Sequence, residues 1–201
     1  SPAPPAAFEI LKEEMIMYTL HSQSFKGISP QIDENAFVAP GVHLYGDVRV
    51  GPESSLWPGV VARGDVNYIS IGKCTNVQDL CCLHVADDHP CIIGDYVTIG
   101  HCACVHACEI EDHVLIGMHA TILTGAKIGR GSIIAAGALV LANQVIPPNS
   151  LVTGVPGKVI RKQDVIQKLH EQALKYKCEW AIEYGANPNI GGEKFDGSSV
   201  F

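Results

Sequence analysis

Residues 110–152 read IEDHVLIGMHATILTGAKIGRGSIIAAGALVLANQVIPPNSLV and carry Ile or Val at every sixth position. These positions are Ile110, Ile116, Ile122, Ile128, Ile134, Val140, Ile146 and Val152. A period of six fits neither the repeat of a helix nor the alternation of a single strand. It is typical of a parallel β-helix, in which each six-residue unit is a short strand plus a turn and three units make one triangular coil.

The same step recurs upstream in shorter runs that are separated by slips in phase. The runs are Val38, Leu44, Val50, Leu56, then Ile71, Val77, Leu83, then Ile93, Ile99, Val105. Residues 38–155 supply about six coils, and a strand spacing of about 4.8 Å makes the prism about 30 Å long. We therefore predict a mainly β chain whose residues 17–157 form the β-helix, with the aliphatic residues filling its corners.

Segments on both sides of the repeat are interpreted separately. The period ends after Val155-Pro156-Gly157, and residues 158–186 are predicted to form a C-terminal amphipathic helix with Asp164 as its N-cap. The residues of its amphipathic pattern recur every three or four positions, at Ile166, Leu169, Ala173, Tyr176 or Lys177, Trp180 and Tyr184. We expect this helix to lie along a face of the prism. Residues 1–16 are interpreted as a leader or cloning remnant, and residues 187–201 as a flexible tail.

Composition excludes several classes of function. The net charge is −7, and no run of Lys or Arg occurs, so we expect no nucleic-acid partner. No apolar stretch approaches the roughly 20 residues of a membrane span. The 8 cysteines contain no CxxC pair, which favours a reducing compartment, the cytoplasm or alternatively an organelle matrix.

Three of the 9 histidines share a phase with the coils. His84 directly follows Leu83 and His106 directly follows Val105, so both are expected at one corner of adjacent coils, about 5 Å apart, where two imidazoles can reach one metal. His101 lies on the preceding face, separated by the corner. A three-fold assembly would bring His101 of one chain against the pair of the next. The others are predicted to be surface or loop residues: His21, His43, His89, His113, His119 and His170.

Several short motifs occur in a specific order between Asp33 and Tyr184. They are Ser55-Leu56-Trp57-Pro58-Gly59, Arg63-Gly64-Asp65, Asn76-Val77-Gln78-Asp79, His84, Ile99-Gly100-His101, Val105-His106 and Gly154-Val155-Pro156-Gly157. In this order the chain resembles the γ-class carbonic anhydrases and their close homologues. The resemblance implies a left-handed β-helix homotrimer whose metal is held by His84 and His106 of one chain and His101 of the next. Zn²⁺ is the expected metal, with Fe²⁺ or Co²⁺ as alternatives.

The resemblance also implies an activity, the reversible hydration of CO2 to bicarbonate by a metal-bound hydroxide. Gln78, expected in the column of His101 one coil earlier, would orient the hydroxide, with Asn76 beside it. Tyr176 on the C-terminal helix would face the metal. Arg63 and Asp65 resemble the ion pair that orders the trimer interface of the family.

Two departures from the family pattern keep other functions open. Only residues 85–90 follow His84, where the best-studied branch has a long loop with a proton-shuttle Glu, and Gln172 stands where many homologues have Asn. One alternative is a metal-binding assembly or structural homologue with little activity. Another is a CoA-dependent hexapeptide acyltransferase, which uses a single His as general base.

Overall fold

The computed structural model describes residues 21–186 and 191–197. Three parts of the prediction lie outside this range: residues 1–16, interpreted as a leader or cloning remnant, residues 17–20 at the start of the predicted β-helix, and residues 187–190 and 198–201 of the predicted tail. Within it, short strands wind into a triangular prism with three faces, named A, B and C.

Each face is a ladder of seven strands that pair in parallel. Face A contains β1 (His21–Gln23), the first parts of β4 (His43–Val50) and β6 (Val61–Ile71), β8 (Cys82–His84), β11 (Cys104–His106), β14 (Thr121–Ile122) and β17 (Leu139–Val140). Face B contains β2 (Gln31–Ile32), the second parts of β4 and β6, β9 (Cys91–Ile93), β12 (Glu109–Ile110), β15 (Lys127–Ile128) and β18 (Val145–Ile146). Face C contains β3 (Phe37–Val38), β5 (Ser55–Leu56), β7 (Asn76–Val77), β10 (Thr98–Ile99), β13 (Leu115–Ile116), β16 (Ile133–Ile134) and β19 (Ser150–Thr153).

The predicted parallel β-helix is confirmed, with about seven turns instead of six. The additional turn comes from residues 21–37, which lie before the first run of the repeat and contribute β1 and β2. The architecture agrees with the left-handed β-helix that the resemblance implies.

The six-residue period marks the core. All eight of the aliphatic residues from Ile110 to Val152 that define it are at most 2% exposed. They stack on one another between coils, as Ile116 does on Ile134. Burial of one such side chain contributes about 1.5–3 kcal/mol, so the repeat supplies a continuous stabilising column.

The C-terminal region differs from its prediction at its start. Residues Lys158–Lys162 form β20, which pairs antiparallel with β19 and continues face C. A strand forms there because the edge of β19 leaves backbone groups to be paired. The helix begins only at Ile166, and its N-cap is Val165, without a side-chain capping bond, so Asp164 is not the cap.

The helix has three consecutive segments, α1 (Ile166–Lys175), a π-helical turn (Tyr176–Trp180) and α2 (Ala181–Glu183). The π turn adds a residue per turn and so rotates the later side chains about the helix axis. Trp180 and Tyr184, predicted to be packed, are therefore 41% and 73% exposed, whereas Lys177 is 5% exposed. Lys177 Nζ donates a hydrogen bond to Glu53 Oε2 at 2.7 Å.

The helix lies against the prism, as predicted. Ala173 and Leu174 pack on Cys74, and the ring of Tyr176 meets that of Trp57 edge-on with centroids 5.7 Å apart. This contact places Tyr176 beside the end of β5 on face C.

All eight cysteines lie in the described ranges as free thiols. Among the described residues, no helix is both long enough and apolar enough to cross a membrane.

Candidate metal centre

The structure brings His84 and His106 together on face A. β8 and β11 pair with Leu83 opposite Val105 and His84 opposite His106. Leu83 and Val105 are fully buried, so the alternation along each strand turns both imidazoles outward. His84 Nδ1 lies 3.1 Å from His106 Nε2. Metal–nitrogen bonds of about 2.0–2.1 Å at a tetrahedral angle separate two ligand nitrogens by about 3.3 Å. The pair therefore fits a zinc-type metal.

The other ring nitrogen of each imidazole is also held. His84 Nε2 lies 3.2 Å from Asp65 Oδ1, and His106 Nδ1 lies 3.0 Å from Thr124 Oγ1. Such outer contacts fix the orientation of metal-binding imidazoles. Thr124 was not among the predicted site residues. It lies 18 residues after His106, and the contact becomes evident only when adjacent coils are aligned.

Charges around the pair favour one ionised carboxylate and one neutral ring. Partial burial raises the pKa of Asp65, but the Val66 amide and the Arg63 guanidinium together lower it by more. The pKa of Asp65 is therefore below its usual value. Arg63 and Asp65 form their ion pair within one chain. Burial, followed by the nearby His84, lowers the pKa of His106. A neutral His106 ring is the form that can bind a metal.

His101 lies apart, at the corner where face C turns into face A. This corner is turned by a left-handed residue in successive coils, Leu80 at φ 61° and Cys102 at φ 59°. His101 Nδ1 contacts Asp79 Oδ2 at 2.9 Å, and the His101 side chain is 43% exposed. The contact occupies Nδ1 and leaves Nε2 as the nitrogen available to a metal.

The expected column of Gln78 is wrong by one residue. Val77 pairs with Ile99, so Gln78 aligns with Gly100, and Asp79 aligns with His101. Gln78 follows its strand by one residue and His101 follows by two. Asp79, which contacts His101, was not among the predicted site residues.

Within the described ranges, no three His, Cys, Asp or Glu side chains of one chain cluster so that they could hold a metal. The division of the three imidazoles between neighbouring chains stays a prediction.

Three other residues of the predicted site are buried. Gln78 Nε2 donates to Asn76 Oδ1 at 3.0 Å, and Asn76 Nδ2 donates to Thr98 Oγ1 at 2.9 Å. Tyr176 borders a groove of about 610 Å³ that His101 and Asp79 also line. Burial, with a smaller contribution from Asp79, raises the pKa of Tyr176 far above its usual value. Its phenol is a donor, and it is not a base near neutral pH.

A second histidine pair was missed. His113, predicted to be a surface or loop residue, is buried, because the C-terminal helix covers it. His113 Nε2 lies 3.0 Å from His170 Nδ1, and His170 Nε2 lies 2.8 Å from Glu193 Oε1. The ring of Tyr96 stacks on His113 at 5.0 Å. This cluster ties the helix to the prism.

Comparisons with known proteins agree with the fold and the motif order. The family model "Bacterial transferase hexapeptide (six repeats)" matches residues 107–142. The chain is 53% identical over 147 residues to "Probable carbonic anhydrase" of Methanocaldococcus jannaschii, covering 72% of this chain and 92% of that protein. It is 47% identical over 156 residues to "Gamma carbonic anhydrase 1, mitochondrial" of Arabidopsis thaliana, covering 74% of this chain and 57% of that protein. The chain thus spans little more than half the length of the plant relative.

A solved structure is similar as well. The hexapeptide transferase family protein of Anaplasma phagocytophilum has a TM-score of 0.78 and 33% identity, and the match covers 82% of this chain and 98% of that one.

Proposed function

The chain belongs to the γ-class carbonic anhydrase-like proteins of the hexapeptide-repeat family, and from this we propose that it catalyses the reversible hydration of CO2 to bicarbonate at a metal shared between chains of a homotrimer. The observation that carries the proposal is the pair of facing nitrogens, His84 Nδ1 and His106 Nε2, 3.1 Å apart. The other ring nitrogen of each imidazole is hydrogen-bonded, to Asp65 for His84 and to Thr124 for His106. His101 lies at another corner, where Asp79 contacts its Nδ1.

The ligand set we propose is His84 and His106 from one chain and His101 from its neighbour. Three imidazoles suit Zn²⁺ best here, with Fe²⁺ and Co²⁺ as alternatives. When bound, such a metal supplies a Lewis acid that lowers the pKa of water towards neutrality.

Exposed apolar side chains support the trimer. Leu80, next to Asp79, is 65% exposed, and Met118, in the column of His101, is 54% exposed. On face A, Val61 pairs with Cys82 beside the histidine pair and is 37% exposed. Covering these side chains against a neighbouring chain removes apolar area from water while it brings His101 to the pair.

Residues of this chain would orient the reactants. The Gln78 amide has its Nε2 bonded to Asn76, which leaves Oε1 to accept a hydrogen bond from a water molecule in the site. Thr98 fixes Asn76 in turn. Tyr176 would donate from its phenol, and the Arg63–Asp65 ion pair would hold His84 and order the interface.

For the location we propose a reducing compartment, the cytoplasm or an organelle matrix. The eight free thiols support it, and the plant relative is named mitochondrial.

The test compares metal content and CO2 hydration of the wild type, His106→Ala and the control His43→Ala. We expect about one metal per chain and hydration in the wild type and the control, and neither in His106→Ala. Hydration that survives in His106→Ala would overturn the proposal. A metal-loaded wild type without hydration would favour an assembly subunit, and metal-independent acetyl transfer from acetyl-CoA would favour an acyltransferase.

A further inference from the structure

Asp65, His84, His106 and Thr124 form a chain of hydrogen bonds in which each donor and acceptor can be assigned. The Asp65 carboxylate pairs with the Arg63 guanidinium and accepts from the Val66 amide at 2.8 Å, so it acts as an acceptor, and His84 Nε2, at 3.2 Å from Asp65 Oδ1, carries the ring proton. His84 Nδ1 is then a bare lone pair. Because it faces His106 Nε2 at 3.1 Å, that nitrogen must be the donor. His106 Nδ1 is then an acceptor, and the Thr124 hydroxyl at 3.0 Å donates to it.

A metal requires the opposite tautomer of one ring only. His84 already offers a lone pair at Nδ1. His106 has to offer one at Nε2, so its proton has to be at Nδ1 instead. The Nε2 proton passes to water and Nδ1 takes one from water, which leaves the proton count unchanged. Nδ1 then needs an acceptor where it previously needed a donor.

We propose that Thr124 is a positioning residue that partners both tautomers of His106, so that the ring can change from the metal-free to the metal-binding form without losing a hydrogen bond. A hydroxyl has one donor and two acceptor sites and only has to rotate. A carboxylate such as Asp65 could partner only one of the two forms. This inference rests on the proposed metal site and assigns Thr124 a role that is distinct from ligation.

The first test reads the tautomer without a metal. In protein labelled with ¹⁵N-histidine, two-bond ¹⁵N–¹H correlation spectra should show His106 protonated at Nε2 in the metal-free wild type and at Nδ1 after Zn²⁺ is added. Protonation at Nδ1 in the metal-free wild type would overturn the inference.

The second test measures Zn²⁺ affinity by chelator competition. Thr124→Val, which keeps the shape and removes the hydroxyl, should weaken affinity about 10- to 100-fold, the size typical of lost outer contacts. Thr124→Ser should stay within about threefold of the wild type, since the hydroxyl is restored. Thr121→Val, the same change at the residue that pairs with Cys104, two positions before His106 on β11, should leave affinity unchanged.

The outcomes separate the two proposals. Equal affinity of Thr124→Val and the wild type would overturn the role of Thr124 and leave the metal centre standing. A folded wild type that binds no Zn²⁺ would refute the metal centre, whereas the tautomer of the metal-free protein would still test the hydrogen-bond chain. If Thr124→Val does not fold, the wild-type spectrum and the Thr124→Ser affinity decide.

Discussion

Two defective chains should restore each other's metal sites if each site is shared between neighbours. A His84→Ala chain keeps its His101 but has a broken pair. A His101→Ala chain keeps its pair but lacks the third ligand. Neither variant alone can build a site, and a metal can bind only where the pair of a His101→Ala chain meets His101 of a His84→Ala chain.

The expected amount depends on the ring geometry. In a cyclic trimer that contains both variants, one interface has the required order, whichever variant is in excess. Random assembly from equal amounts makes about three quarters of the trimers mixed. The population therefore holds about 0.75 sites per trimer against about 3 in the wild type, or about one quarter of the wild-type metal per chain.

Co-expression followed by gel filtration and elemental analysis measures this quantity. A matched control pairs His84→Ala with His106→Ala, where every pair is broken and no metal should return. Metal retained by His101→Ala alone, or equal recovery in the control, would refute the division of ligands between chains.

Four further outcomes are expected. Gln78→Ala should keep its metal and lose hydration rate about 10- to 100-fold in stopped-flow measurements, because its amide orients water without binding the metal; loss of the metal would contradict this role. Met118→Glu should shift sedimentation towards monomers and lower the metal content, whereas Val145→Glu, on face B and 66% exposed, should do neither. Burial and then His170 lower the pKa of His113, so the unfolded chain takes up the proton first and stability should fall as pH drops below about 6.5; a pH dependence of Tm that persists unchanged in His113→Gln would argue against this source. Because only residues 85–90 connect β8 to β9, we expect hydration to rise with imidazole concentration, and a rate independent of buffer that is lost in His89→Ala would reveal an internal shuttle instead.

Much of the fold could be predicted because one period determines it. Burial of every sixth aliphatic residue depends only on the coil geometry, so Ile110 to Val152 could be assigned to the core from their spacing. The same phase placed His84 beside His106 and kept His101 apart. The spacing of residues along the chain was sufficient for these predictions, because each coil contacts mainly its neighbours.

The remaining features depend on contacts outside the period. The π turn at Tyr176–Trp180 changes which side chains are buried, and no periodicity in the sequence predicts it. β20 exists because the last coil has a free edge. His113 is buried because the C-terminal helix packs over it. Thr124 contacts His106 from the adjacent coil.

The most direct measurement is stopped-flow CO2 hydration during titration of metal-free protein with Zn²⁺, in strong imidazole buffer. We expect hydration to rise in proportion to bound metal, to saturate near one metal per chain, and to be absent in His101→Ala at every metal concentration. Full metal occupancy without hydration, or hydration by His101→Ala equal to that of the wild type, would contradict it.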